Sequence, residues 1–117
     1  MIFLLIVKHY ICDIELQNNW QARGKCQKIG YFIPLTTHCL IHAVGTLAIL
    51  YLLGLQNWWI LAFFEVVAHY GIDLGKVRLN RILNASVDKK NFHRLYVADQ
   101  CLHFAWYCLV CYIIGRY

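Results

Sequence analysis

Four pairs of ligand-type residues, each spaced four apart, recur along the chain: His9 with Asp13, His38 with His42, His69 with Asp73, and Asp99 with His103. On an α-helix, four steps of roughly 100° overshoot one turn by only about 40°, so both members of a pair share a face. Five of the six histidines and three of the six acids belong to these pairs. Imidazole and carboxylate without thiolate are the ligands of zinc foremost, and of manganese or iron, rather than of copper(I) or an iron–sulfur cluster. Helical bundles build metal centres from such inward pairs on facing helices. Eight ligands exceed one tetrahedral shell, so one or two divalent ions are expected, held by His9, Asp13, His38, His42, His69, Asp73, Asp99 and His103.

The elements that must carry these pairs are strongly apolar. The 117 residues are 61% hydrophobic and 15% charged, with a single proline, and the mean hydropathy is +0.50. That composition fits one integral membrane domain spanning residues 1–117, since a soluble chain of this length cannot bury so much apolar surface. Apolar segments at about 2–18, 36–54, 58–77 and 95–115 approach the ~20 residues needed to cross a bilayer. The expected fold is therefore all-α, a four-helix transmembrane bundle. The run Met1–Val7 reads as the start of the first helix, because ligand-type residues follow it directly. Trp20, Tyr31, Trp58, Trp59 and Tyr117 fall near segment ends, where amphipathic rings favour the interface.

The net charge of +5 gathers in Arg23–Lys28 and Lys76–Arg94, with Lys8 the one basic residue clearly inside a segment. The positive-inside rule places both basic loops in the cytoplasm and both termini on the non-cytoplasmic side. The chain then belongs in a lipid bilayer. No nucleic-acid partner is expected, because no basic helix or aromatic-stacking motif accompanies the charge. Counted from the cytoplasmic segment ends, the pairs lie about 2 to 8 residues deep, a shared band roughly 3–12 Å below the surface at 1.5 Å per residue. The six cysteines form no knuckle pattern and read as small apolar side chains.

Acids in a membrane demand partners: Asp13, Glu65, Asp73 and Asp99 would together cost ~10 kcal/mol unpaired. Lys8 alone cannot neutralise them, which favours a metal ion. Around such a centre, Gln17 continues the first stripe and Gln100 adjoins Asp99, so either amide could orient ligands or a water. Lys76 lies at the mouth, where it could meet a phosphate, together with Arg78 and Lys25; snorkelling is the alternative. Glu65, one turn from His69, could serve as a general base, a proton carrier or a structural hydrogen-bonding group. His93 falls in the basic loop, outside the cluster.

The stretches D-I-E-L-Q-N-N-W with Lys25 following, H-Y-G-I-D-L-G-K (His69, Asp73, Lys76) and A-D-Q-C-L-H (Asp99, Gln100, His103) resemble a domain-of-unknown-function family of small integral membrane proteins of bacteria and their phages. The resemblance extends over nearly the whole chain and implies a membrane bundle in the bacterial (host) inner membrane, but no reaction. A looser similarity is to membrane-bound metal-dependent hydrolases. Three functions compete. The first is a metal-dependent hydrolase acting on an anionic phosphoester or lipid-linked substrate at the cytoplasmic interface. The second is a metal or proton conduit. The third is a non-enzymatic, host-modulating interaction protein, a homo-oligomer or bound to a membrane protein partner, in which the His/Asp network is structural.

Overall fold

The structure is a computed structural model that describes residues 1–56, 58–83 and 90–115. Among them every regular element is a helix. Helix α1 spans Ile2–Tyr10 and runs into a π turn, Ile11–Glu15, closed by the wide bond from the Leu16 amide to the Ile11 carbonyl at 3.0 Å. Helix α2 spans Asn19–Gly24, α3 Phe32–Leu52, α4 Trp58–Ile82 and α5 Lys90–Ile114.

The first apolar segment is thus not one helix over 2–18. Asn18 leaves helical geometry (φ −85°, ψ 168°) and starts α2. Its side chain accepts from the Gln21 amide at 2.9 Å, while the Gln21 side chain accepts from the Asn18 amide at 3.2 Å. This reciprocal cap satisfies two donors that a helix start otherwise leaves open. Helix α2 packs on α3 through Gly24, where a Cβ would lie 2.4 Å from Pro34 Cγ. Pro34 sits in the first turn of α3, where a missing amide hydrogen leaves no broken bond. Helix α3 stops at Gly54, whose φ of +65° is the left-handed conformation that closes helices.

Helix α1 packs against α3 and α5, and α4 packs against the same two, which closes a ring of four elements. The molecule measures 44 × 24 × 21 Å. Met1, the Leu53–Leu55 turn and Gly115 meet at one end, lining a common depression. At the other end Arg81 bonds the Gln27 carbonyl and lies 4.9 Å from the Tyr31 ring centre. The helices also exceed the expected segments at that basic end: α3 begins at 32 rather than 36, α4 ends at 82 rather than 77, and α5 begins at 90 rather than 95. Lys76, Arg78, Arg81, Lys90, His93 and Arg94 are therefore helical and not in a loop. Among the described residues two helices, α3 and α5, are long and apolar enough to cross a membrane; α4 carries Glu65, His69 and Asp73 in its apolar stretch. Tyr117, expected at an interface, lies outside the described residues.

Much of the distribution of side chains is inverted relative to a water-soluble fold: beside apolar core residues such as Leu5, Leu35 and Leu50, the polar Lys8, His9, His38, His42, Glu65, His69, Asp73, Asp99 and His103 are buried, while Phe3, Val44, Leu52, Trp59 and Phe63 are exposed.

Candidate metal centre

All eight residues of the four pairs converge inside the ring. His42 lies ten residues from either end of α3. His69 lies eleven and thirteen residues from the ends of α4, and His103 thirteen and eleven from those of α5. The histidines therefore occupy the middles of the long helices. They sit further from the helix ends than the expected band, because each helix continues past the segment end its charged residues suggested. Ring centres are 3.8 Å apart for His42 and His69, 4.3 Å for His69 and His103, 4.6 Å for His9 and His103, and 4.7 Å for His38 and His42.

Two sets of ligand atoms form around this core. In the first, Asp13 faces His38 Nε2 at 3.2 Å and His42 Nε2 at 3.1 Å, and His69 completes a group whose atoms lie within 4.8 Å of one another. Asp13 belongs to the π turn, a local widening that recurs at functional sites. In the second, Asp73, Asp99 and His103 are equally close, and Cys39, His69 and Asp73 make an overlapping set. These groups could hold a metal ion.

His103 gives the most specific indication. Its Nδ1 donates to the Asp99 carbonyl oxygen at 2.8 Å, and a carbonyl can only accept. The neutral ring then presents a bare Nε2 lone pair, which is buried, has no hydrogen-bond partner among the described residues and lies 3.8 Å from Asp73 Oδ1. Two acceptors facing each other out of water suit a cation between them, and a backbone-anchored Nδ1 is the usual way a ligating imidazole is oriented. Both ring nitrogens of His69, 1% exposed, likewise lack partners.

The charge balance differs from the sequence expectation. Lys8 meets Glu65 at 3.0 Å, Lys25 meets Asp73 at 3.2 Å and Lys76 meets Asp99 at 2.7 Å. Three lysines face four buried or half-buried acids, because Lys25 and Lys76 reach inward from regions read as surface. Neutralising the carboxylates therefore does not by itself require a metal. The unpaired imidazole nitrogens, and Asp13, which meets three imidazoles and no lysine among these pairs, are what a metal ion would satisfy.

The remaining expected residues divide. Gln100 donates to Asp13 Oδ2 at 3.4 Å and Asp99 Oδ2 at 3.3 Å, tying the two groups together. Gln17 falls in the non-helical stretch between the π turn and α2, off the expected helical stripe, and its Oε1 is buried without a partner among the described residues. Glu65 has both oxygens engaged, by Lys8 and by Trp106 Nε1 at 2.6 Å. Lys8 also donates to Tyr107 Oη at 3.1 Å, and that oxygen lies 2.9 Å from His9 Nδ1. His9 thus bridges Tyr107 and Asp13 (3.3 Å) and lies outside the close ligand groups. Lys8 finds room because residue 45 is glycine; a Cβ there would sit 2.8 Å from its Cγ.

Sequence reasoning missed Tyr107, Trp106 and Cys39. Tyr107 was reachable, since it continues the Asp99–His103 stripe by four. Cys39, 1% exposed, follows His38 directly and has no signal in spacing.

Fold and site together define an all-helical protein with a buried His/Asp cluster inside an apolar exterior. Residues 1–116 match the family described as "Protein of unknown function (DUF3307)", and the chain belongs to that family, in keeping with the resemblance read from its motifs. No curated protein and no solved structure matches it.

Proposed function

We propose that the chain is an integral membrane protein of the bacterial inner membrane, a four-helix bundle with both termini on the non-cytoplasmic side, whose His/Asp cluster binds one or two divalent metal ions and hydrolyses a phosphoester. The membrane reading is supported by the inverted distribution of side chains: a lipid-facing surface is apolar, and intramembrane charges turn inward to partners. The metal reading is carried by the bare, buried Nε2 of His103 facing Asp73.

Asp13, His38, His42 and His69 would hold one ion, and Asp73, Asp99 and His103 a second. A divalent ion at such ligands makes water a nucleophile at neutral pH and binds phosphoryl oxygens. The chain's own residues do the rest. Gln100 fixes the carboxylates of both groups, and Lys76 and Lys25 exchange their carboxylate partners for the phosphate anion. In the reaction the oxygen of water bonds to phosphorus, the ester P–O bond breaks, and the departing alkoxide takes the proton released by the water. Zinc is the first expectation, with manganese or iron next.

The three lysine–carboxylate pairs favour a second reading, in which the cluster is a structural network in an interaction protein. A conduit is less supported: the buried polar positions continue from the histidines toward the terminal end through Lys8, Thr46, Glu65 and Tyr107, but beyond them come Leu5, Leu50, Ala62 and Val110.

The test is turnover of p-nitrophenyl phosphate by detergent-purified protein loaded with zinc or manganese. The expected result is hydrolysis that a chelator removes and that falls more than about 100-fold in Asp13→Asn and His42→Ala. Equal rates in wild type and variants would overturn it.

A further inference from the structure

A groove of about 590 Å³ runs between the outer faces of α4 and α5, a volume typical of ligand sites. Val67, Ile72, Leu102 and Leu109 make its walls apolar, and the exposure of Val67, Leu102 and Leu109 shows that it opens sideways from the bundle. Its floor is left vacant by glycine: a Cβ at Gly71 or Gly75 would meet nothing within 4 Å. Two polar residues interrupt this apolar channel, Lys76 and Asp99. Asp99 is 3% exposed and its Oδ1 has no hydrogen-bond partner among the described residues. Of the Asp73, Asp99 and His103 ligand group, Asp99 alone lines the groove, so this is where the groove meets the cluster.

We propose that the α4–α5 groove binds a lipid phosphate monoester that enters laterally from the bilayer. Its acyl chain lies along Ala68, Gly71 and Leu102, and its phosphate is held by Lys76 beside Asp99. This deepens the hydrolase reading by naming the substrate class, and its phosphate-directed part rests on that reading. The charge is complementary once Asp99 turns to the metal: the ammonium of Lys76, which pairs with Asp99 at 2.7 Å, then meets an anion in an otherwise apolar channel, at the side of the bundle that carries Arg78, Arg81, Lys90 and Arg94. Gly71 and Gly75, four apart, also match the pattern by which membrane helices pair. A second apolar helix seated there would, however, seal the Lys76–Asp99 pair from water and bring no hydrogen-bond donor to Asp99 Oδ1, which has only the His103 ring at 3.8 Å.

The experiment is native mass spectrometry of the purified full chain with dioleoyl phosphatidic acid or dioleoyl phosphatidylcholine, comparing wild type, Gly71→Phe and Lys76→Met. Metal content and p-nitrophenyl phosphate turnover are measured on the first two. Wild type should retain phosphatidic acid at least 10-fold more than phosphatidylcholine. Gly71→Phe, whose side chain starts in open space, should lose that retention while keeping metal and turnover of the small ester. Lys76→Met should lose the preference for the anionic lipid. Retention unchanged in Gly71→Phe would overturn the proposal. A wild-type dimer that Gly71→Phe converts to a lipid-free monomer would also overturn it, giving the groove to a second copy. Groove-dependent retention with no hydrolysis of p-nitrophenyl phosphate would uphold the binding site and remove the hydrolase reading alone.

Discussion

At the scale of single residues, the i, i+4 spacing carried most of the information. Spacing alone placed His38, His42, His69, Asp73, Asp99 and His103 on inward faces, and all of them are buried in one cluster. Partner identity was harder to read. A lysine's four-carbon stem lets its charge reach far from its own backbone position, so Lys25 and Lys76 looked like surface charges and meet buried acids instead. Lys8 and Glu65 show what such pairing is worth, with side chains 5% and 2% exposed. Lys8→Met leaves the Glu65 carboxylate buried without its cation and should destabilise the fold by about 3–5 kcal/mol, whereas Lys8→Met with Glu65→Gln should recover much of that loss. Thermal unfolding of the three proteins in one detergent measures both. Equal stability of the Lys8→Met variant and wild type would show that the pair contributes little.

At the scale of elements, the existence of four long helical segments was legible and their ends were not. Runs such as Lys76-Val77-Arg78 and Lys90 to Arg94 look solvated, and helices continue through them because nothing in those stretches breaks a helix. The division of the first segment had a signal that composition hid: Asn18 and Gln21 stand three apart, the spacing of a reciprocal cap. The π turn before it has no comparable mark in the sequence. Helix α2 then depends on its contact with α3. Gly24→Leu would drive a side chain into Pro34, and should lower stability by about 1–3 kcal/mol as α2 lifts from α3. Faster amide exchange at residues 19–24, with α4 unaffected, is the expected signature. An unchanged exchange profile would mean that α2 is not held by this contact.

At the scale of the whole molecule, the proposed topology puts Arg23–Lys28 of the first connection and Arg78, Arg81, Lys90 and Arg94 of α4 and α5 on the cytoplasmic side. Cys26 is exposed in the first basic connection, whereas Cys12 and Cys39 are buried. A membrane-impermeant maleimide should therefore label Cys26 in inside-out vesicles and leave it unmodified in intact spheroplasts. Labelling from the outer side would reverse the assigned topology.

The central claim is that the His/Asp cluster is a metal centre, and metal content tests it most directly. Detergent-purified wild type is analysed by elemental mass spectrometry beside His103→Ala and an Asp73→Asn, Asp99→Asn double variant, with circular dichroism confirming that each remains helical. The account predicts one or two equivalents of zinc, manganese or iron in the wild type, and a loss of about one equivalent in the folded variants. A folded wild type that stays metal-free after incubation with each ion would contradict it, and the cluster would then be a hydrogen-bonded network that holds four helices together.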